Sequence, residues 1–376
     1  MKNISLSYVV CDKRFFINGH GGKVSHALGI VRGLSTEVQS LSFVVPSNSS
    51  DGLSSTLKDV RVNFSLVNVN WVAPIFALLA LLRGAKLSDY ILVRKNFLTV
   101  LLYFLTLGFS FVGGINKRII WEVNGLSFER YRNTPVLSFL YHTMKILNRV
   151  SLRRSVKVYV VSNNIKEELC SGFFKLERDA VIVIPNGSPP VRRRTYTSSD
   201  SGYDFIFFGV FRPYNEFELL VQAFKNFNAR HANSHRLHFI GFGPELQSLV
   251  NLTEKDSSVK VWPAIKPDEL LTHSVVKALA VGLVPISSSF GSRFLSPIKL
   301  YEYAAIGLPV IMSDVYEGST GDCHFVYRAG DEESLIKKLE SVCNASHQYD
   351  ELVEVSYKFA NENSWRSRMS ELLSQI

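Results

Sequence analysis

Lys299 and Glu302 are charged residues three positions apart, and the dipeptide Ser296-Pro297 stands just before them. Proline in a first helical turn loses no needed hydrogen bond, so this pattern predicts a helix start with Ser296 as its N-cap. The N–H groups of such a start, here around Ile298 and Lys299, favour phosphate, and the lysine adds a full positive charge. The carboxylate of Glu302 can accept hydrogen bonds from a sugar diol. The spacing predicts a site for the pyrophosphate and ribose of a nucleotide; the alternative is an ordinary amphipathic helix.

The segments on either side of this pair predict the elements that position it. Residues 278–286 form a short apolar run that suits a buried strand, and residues 287–292 form a Ser/Gly loop. Gly307 suits a left-handed helix end, and residues 308–311 begin another strand. A strand, loop, helix and strand in this order are typical of a parallel sheet, whose ligands bind beyond the carboxyl ends of the strands.

The run SPIKLYEYAAIGLPVI over residues 296–311 resembles the donor-binding signature of the GT-B glycosyltransferases of the family-four type, the glycosyl transferases group 1. The resemblance implies that Glu302 binds the ribose and that the backbone at Ile298 and Lys299 meets the donor phosphates. It also implies an α/β fold of two doubly wound, Rossmann-like parallel-sheet domains that face a cleft.

Further segments resemble the same family. Gly21 and Gly22 follow the predicted first strand, and in the family this loop faces the donor phosphates and the acceptor. Gly241 lies in the family's glycine turn after a strand, and Ile265 lies in the segment whose backbone reads the base.

The chain departs from the family at the positions that clamp the pyrophosphate. The family usually carries an arginine and a lysine where this chain has Val210 and Asn215, and Arg212 is the expected substitute. Retaining members commonly carry a second glutamate where this chain has Phe294, so either Arg293 or backbone amides are expected to contact the donor sugar. Retention of configuration is still expected from the overall resemblance.

Residues 119–125 predict a strand that ends in polar residues, a segment that in the family faces the acceptor. Its candidate catalytic residues are Glu122 and Asn124, and Glu122 would be the base if the linkage were inverted. His26 is interpreted as a helix-face histidine in preference to a catalytic one.

The length of 376 residues accommodates two domains. We expect an acceptor-binding domain over 1–187, a linker over 188–202, a nucleotide-sugar-binding domain over 203–356, and a helix over 357–376 that crosses back to the first domain. The linker is predicted from a Pro-Pro pair, an Arg-Arg-Arg run and a Ser/Thr cluster. Four scattered cysteines and no visible secretory signal favour a reduced, cytoplasmic protein.

The formal net charge of +9 suits an acidic partner. Residues 71–82 and 97–115 are very apolar, and residues 145–157 are basic. The stretch 97–115 is long enough to span a bilayer, but a crossover helix is preferred because strands are predicted on both sides of it. Such a helix could be buried in the protein or could dip into a membrane surface. These features predict peripheral association with an anionic membrane surface on its cytoplasmic face.

The sequence therefore predicts a glycosyltransferase that moves a sugar from a UDP- or GDP-sugar to a glycan or lipid-linked acceptor in surface-polysaccharide biosynthesis. Neither a metal nor another cofactor is expected, and nucleic acid is not expected as a partner. The alternatives are a nucleotide-sugar epimerase on the same architecture and a non-catalytic basic module that binds membrane or nucleic acid.

Overall fold

In the computed structural model of the chain, the described residues are 2–10, 21–46, 57–58, 60–67, 88–95, 118–125, 138–197, 202–232, 234–254, 256–289, 294–316, 318 and 320–376. The chain divides into two compact units. The first contains Met1–Gly19, Lys23–Pro185 and Trp365–Ile376. The second contains His20–Gly22 and Asn186–Ser364.

The first unit is built on a parallel sheet with the strand order β3-β2-β1-β4-β5-β6-β7. Its strands are β1 (Lys2–Val9), β2 (Val38–Pro46), β3 (Asn63–Val67), β4 (Tyr90–Arg94), β5 (Ile119–Val123), β6 (Lys157–Val160) and β7 (Val181–Val183). The helices that follow these strands are α1 (Gly22–Glu37), α2 (Ser138–Arg153) and α3 (Asn163–Cys170). Every residue of β5 is buried, as expected for a central strand covered on both faces.

The second unit is built on a parallel sheet with the strand order β10-β9-β8-β11-β12-β13. Its strands are β8 (Asp204–Val210), β9 (Arg236–Phe242), β10 (Val259–Trp262), β11 (Ala280–Val284), β12 (Val310–Ser313) and β13 (His324–Tyr327). Its helices are α4 (Phe217–Arg230), α5 (Leu246–Thr253), α6 (Pro267–Leu270), α7 (Ile298–Ala305), α8 (Glu332–Asn344) and α9 (Tyr349–Glu362). Phe217 of α4 packs edge-on against Phe207 and Phe239 of the sheet, with ring centroids 4.9 and 5.4 Å apart.

The last helix, α10 (Trp365–Ser374), belongs to the first unit and packs on α1. The close approach depends on two glycines of α1. A Cβ on Gly29 would lie 2.1 Å from the indole ring of Trp365, and a Cβ on Gly33 would lie 2.4 Å from the Trp365 carbonyl oxygen. Trp365 and Met369 are buried in this contact.

The C-terminal region differs from the single helix expected over 357–376, because α9 ends at Glu362 and α10 begins at Trp365. Asn363 interrupts the helix: its side chain donates to the carbonyl of Phe359 at 2.8 Å. The carbonyl of Asn363 accepts a hydrogen bond from the N–H of Ser188 at 2.8 Å, which fixes the break within the second unit.

The segment expected as a linker also differs from the prediction, because its described residues, 188–197 and 202, pack within the second unit. Arg194 is only 7% exposed and donates to the carbonyls of Val276 and Ala278 and to the hydroxyl of Tyr349. Its guanidinium also lies 4.2 Å from the ring centre of Tyr196. An arginine run that suggested a solvated connection therefore contains a buried anchor.

Two predicted segments, 71–82 and 97–115, lie outside the described residues. Strand β13 and the first part of helix α9, residues 349–356, were not predicted from the sequence. Among the helices of the described ranges, none combines the length and apolar character that crossing a bilayer requires.

Candidate functional site

Helix α7 begins at Ile298, and its N-cap is Pro297, not Ser296 as predicted. Pro297 makes no side-chain capping bond. The reason is a competing partner for Ser296. Its hydroxyl oxygen accepts the N–H of Asn186 at 3.1 Å, and its carbonyl accepts the Asn186 side-chain amide at 2.5 Å. Ser296, predicted as a donor-binding residue, thus fixes the approach to α7.

The buried face of α7 is attached to the end of β8 by a tyrosine. The hydroxyl of Tyr303 accepts the N–H of Phe208 at 2.8 Å and donates to the carbonyl of Ile206 at 3.2 Å. Its ring lies over Gly282, where a Cβ would be 2.4 Å from the ring. The opposite, half-buried face of the helix therefore has a defined position beside the carboxyl end of β8.

Lys299 extends from this half-buried face across the backbone of Gly209. A Cβ on Gly209, whose φ is +133°, would lie 2.8 Å from Cε of Lys299. The ammonium lies 4.9 Å from the ring centre of Phe207. Burial lowers the pKa of Lys299, while the negative charge of Glu302 raises it and the positive charge of Arg212 lowers it further. The structure thus brings together three predicted donor-binding side chains, those of Lys299, Glu302 and Arg212.

Arg212 is exposed in the turn after β8, with its N–H donated to the side-chain oxygen of Asn215 at 3.0 Å. The amide group of Asn215 also donates to the carbonyl of Pro285 at 3.4 Å. Asn215, which stands where the family has a lysine, therefore stabilises the turn that carries Arg212.

The predicted glycines have steric reasons to be glycine. A Cβ on Gly241, with φ +154°, would lie 1.9 Å from the carbonyl oxygen of Gly209, so Gly241 permits close contact of β8 and β9. Gly21 and Gly22 group with the second unit. A Cβ on them would lie 3.8 Å from Val210 and 3.4 Å from Ile298, respectively.

Of two other residues predicted to bind the donor, Ile265 and Arg293, the structure describes only the first. Ile265 is half-buried after β10 and packs against the apolar cluster that contains Ile240 and Leu270. Arg293 lies outside the described residues. Phe294, beside it in the chain, is buried.

In the first unit, the candidate Glu122 lies at the carboxyl end of β5 and is fully buried. Its Oε1 lies 2.9 Å from Nε2 of His26 and 3.5 Å from Nε of Arg94, and it accepts the side-chain amide of Asn124. Burial alone would raise the pKa of Glu122, but the charges of Arg94 and His26 and the hydrogen bond from His26 lower it to about 2. An ionised carboxylate only accepts, so Nε2 of His26 carries the hydrogen.

Two buried polar atoms near Glu122, Oδ1 of Asn124 and the hydroxyl oxygen of Tyr159, have no hydrogen-bond partner in the part of the chain that the structure describes. The hydroxyl of Tyr8 donates to the carboxylate of Glu122, which also lowers the pKa of Glu122. Arg94, Glu122 and Tyr159 are level with one another on β4, β5 and β6, so they share one face of the sheet. Buried polar atoms of this kind normally bond to water or to a ligand.

Apart from Asn124, the neighbours of Glu122 were not predicted from the sequence. His26 is 4% exposed and pairs with a residue 96 positions away, which no local pattern reveals. Burial lowers the pKa of Lys95 to about 7, and the backbone N–H of Lys95 donates to the carbonyl of Glu122 at 2.9 Å. The only sequence feature that could have indicated these neighbours was the pair Arg94-Lys95 at the end of a predicted strand.

Within the described ranges, no group of three or more His, Cys, Asp or Glu side chains is arranged to hold a metal ion. The expectation of chemistry without a metal or other cofactor stays a prediction.

Comparison with known proteins gives a family match over part of the chain and a fold for the whole of it. Residues 202–345 match the family described as glycosyl transferases group 1. Sucrose-phosphate synthase from Thermosynechococcus elongatus has a TM-score of 0.68 at 12% identity, with 99% of this chain and 98% of that chain covered. The lipopolysaccharide outer core galactosyltransferase WaaB has a TM-score of 0.63 at 13% identity, with 99% and 100% covered.

The catalytic domain of starch synthase IV from Arabidopsis thaliana, bound to ADP and acarbose, has a TM-score of 0.65 at 12% identity, with 100% of this chain and 99% of that chain covered. No curated protein sequence matches the chain. At these identities the structural likeness shows the fold alone, and it confirms the predicted α/β architecture with parallel sheets.

Proposed function

We propose that this chain, which has the GT-B glycosyltransferase fold and matches the glycosyl transferases group 1 over residues 202–345, moves a sugar from a UDP- or GDP-sugar to a glycan or lipid-linked acceptor. The observation that carries this proposal is the position of Lys299 and Glu302. They lie one turn apart on α7, beside the carboxyl end of β8 and within the matched residues. Retention of configuration is part of the proposal.

The chemistry follows from the charges at α7. Lys299 and Arg212 supply positive charge for the diphosphate, and the first turn of α7 adds the positive end of a helix dipole. Groups fixed in this way stabilise the charge that develops on a leaving diphosphate. Glu302 would accept hydrogen bonds from the ribose hydroxyls. Transfer without a metal is proposed on this basis.

The acceptor is proposed from two kinds of support. One structurally similar protein is a lipopolysaccharide outer core galactosyltransferase, which favours a surface glycan. In the first unit, Asn124 and Tyr159 offer buried polar atoms at the carboxyl ends of strands, where an acceptor hydroxyl could be bound. We also propose that the protein acts at the cytoplasmic face of a membrane, because a lipid-linked acceptor would be found there.

The donor assignment is tested by replacing the two side chains of α7. A hydrogen bond to a charged group contributes about 1.5–3 kcal/mol. Glu302→Ala should therefore weaken nucleoside diphosphate binding roughly tenfold to a hundredfold or somewhat more. Lys299→Ala should weaken it similarly, with a larger dependence on salt because it meets phosphate. The measurement is calorimetric titration with the nucleoside diphosphate that stabilises the parent protein most in a thermal-shift panel.

Free nucleoside separates the two roles. It has a ribose but no phosphate, so Glu302→Ala should weaken its binding and Lys299→Ala should hardly change it. Matched controls are Glu333→Ala and Lys337→Ala on α8, which should leave both affinities unchanged. If Glu302→Ala binds the diphosphate as tightly as the parent, the donor site is assigned wrongly. Conversion of the nucleotide sugar without any acceptor-dependent transfer would instead favour the epimerase.

A further inference from the structure

Helix α2 carries a row of positive charge on one face. Lys145, Arg149 and Arg153 follow one another at four-residue spacing, which places them on the same side of a helix, and α2 contains no acidic residue. Ile146, beside this row, is 55% exposed, the highest exposure among the described large hydrophobic residues of the chain. Ile146 and the adjacent row of cations therefore form an amphipathic surface that the fold leaves exposed.

The turn after α3 brings an aromatic ring to this row. Phe174 is buried, while its neighbour Phe173 is 36% exposed. The backbone there is unusual, since Gly172 and Lys175 both have positive φ, +54° and +47°. Arg153 stabilises this turn by donating to the carbonyls of Phe174 and Lys175 at 3.2 and 2.8 Å. A left-handed conformation is unfavourable for lysine, so the outward position of Phe173 is held by specific contacts.

Phe173 and the cations of α2 form one surface. Nζ of Lys145 and Cζ of Arg149 each lie 5.0 Å from the centre of the Phe173 ring, within the range of cation–π attraction. The two cations are thus held over an exposed ring and next to Ile146. We name Lys145, Ile146, Arg149 and Phe173 the α2 patch.

We propose that the α2 patch is the surface by which the first unit docks on an anionic lipid bilayer. Lys145 and Arg149 would meet the lipid phosphates, while Phe173 and Ile146 would enter the boundary between headgroups and acyl chains. A nucleic-acid backbone would use the cations but gain nothing from Ile146, whereas an anionic bilayer uses both. This inference deepens the membrane association contained in the proposed function, and it rests on that function only for the lipid-linked nature of the acceptor.

The test is co-sedimentation of the full chain with vesicles of phosphatidylcholine alone and of phosphatidylcholine mixed with phosphatidylglycerol. The parent should bind the anionic vesicles at least about tenfold more strongly than the neutral ones at low salt, and high salt should remove most of the difference. Ile146→Ser with Phe173→Ser should reduce binding to anionic vesicles about tenfold or more. Lys145→Glu with Arg149→Glu should abolish the preference for anionic lipid.

Two control pairs match these variants in the second unit. Leu246→Ser with Val250→Ser changes two side chains that are 37% and 38% exposed on α5, and Lys337→Glu with Lys338→Glu makes the same charge change on α8. Both should bind vesicles like the parent. The proposal is overturned if the α2-patch variants also bind like the parent, or if each control pair weakens binding as much as its matched variant.

A second copy of this chain is the other occupant to exclude. If light scattering shows a dimer that the α2-patch variants dissociate, while their vesicle binding is unchanged, the patch is a self-association surface and the lipid proposal is wrong. Nucleoside diphosphate binding is measured on the same samples. Loss of vesicle binding with donor affinity intact supports the docking surface, and absence of donor binding in the parent would fail the proposed function without deciding the lipid result.

Discussion

Glu122 is a buried carboxylate whose negative charge is stabilised by the side chains around it. The positive charges of Arg94 and His26 keep the pKa of Glu122 near 2, although burial alone would raise it. A base with so low a pKa removes a proton from an acceptor hydroxyl poorly, since efficient bases titrate near the working pH. The structure therefore favours a role for Glu122 in orienting His26. It does not favour the role expected for Glu122 if the linkage were inverted, that of the catalytic base.

Glu122→Gln should destabilise the first unit by about 3–5 kcal/mol at neutral pH, because it leaves Arg94 and His26 buried beside a neutral group. The folded pKa of Glu122 lies below its ordinary value of 4.5, so its contribution to stability is present above that pH and is lost as the pH falls toward 2. The variant should therefore lose less stability than the parent between these two values. Hydrogen exchange of β4 and β5 in urea, measured at neutral pH and across this range, checks both expectations.

The control for this experiment is Glu333→Gln, which changes an exposed carboxylate on α8 and should reproduce the parent. Equal steepness of the pH dependence in Glu122→Gln and in the parent would contradict the assigned pKa.

At the scale of residues, the sequence predicts which side chains lie together when they are close in the chain. It does not predict hydrogen bonds between residues that are far apart in the chain. The three-residue step from Lys299 to Glu302 predicts two side chains on one side of a helix, and α7 bears this out. The N-cap was assigned wrongly because the partner of Ser296 is Asn186, 110 positions away. A hydrogen bond of that kind is decided by tertiary packing, which overrides the local preference of serine for capping.

At the level of elements, helices α1 and α10 pack closely because the glycines of α1 at their contact have no Cβ. Gly29→Ala would normally stabilise a helix by up to about 1 kcal/mol. Here the new Cβ would lie 2.1 Å from the Trp365 ring, so we expect a net loss of about 1–3 kcal/mol. Trp365→Leu removes the ring, so the double variant should be more stable than the sum of the two single changes indicates. Urea unfolding followed by hydrogen exchange in α1 measures this coupling.

Gly33→Ala is the matched comparison, since its Cβ would meet the Trp365 carbonyl oxygen at 2.4 Å. Replacement of the Trp365 side chain leaves that oxygen in place, so Trp365→Leu should not rescue Gly33→Ala. Rescue of both glycine variants to the same degree would show that the overlap with the ring is not what makes Gly29 necessary.

The elements with strong signals were predicted, and those with weak ones were not. The pattern over residues 296–307 predicted helix α7, although its first residue, Ile298, lies one position after the predicted start. Strand β13 has only four residues, HFVY, which is too short for a distinct period. The start of helix α9 was missed because the polar segment that precedes it offers no side-chain cap: its N-cap Gln348 makes no capping bond.

For the whole molecule, the fold class could be predicted because the resemblance over residues 296–311 belongs to a known architecture, and the strand orders agree with two parallel α/β sheets. The assignment of segments to units was less accessible. Residues 188–197 pack within the second unit through Arg194, whose acceptors are the carbonyls of residues 276 and 278, more than 80 positions away in the chain. Composition alone describes an arginine as solvated unless its partners are known.

Deletion of 365–376 tests how far the first unit depends on its last segment. The deletion removes Trp365, Met369, Leu372 and Leu373, all of which are buried. Each contributes about 1.5–3 kcal/mol, and together they equal much of the 5–15 kcal/mol that stabilises a typical domain. We expect amides of β1, β4 and α1 to exchange rapidly while those of β8, β9 and β11 stay protected. Protection of both sets would show that the first unit folds without α10.

The return of α10 to the first unit also has a consequence during synthesis. The groove formed by Gly29 and Gly33 is made early, but the helix that fills it is synthesised only after the whole second unit. At 5–20 residues per second, translation of the intervening residues 186–364 takes roughly 10–35 s. For that time the nascent first unit has an uncovered apolar groove while the second unit can already complete its sheet. A chaperone that protects this groove would act on the amino-terminal part of the chain, and its release would follow the synthesis of residues 365–374.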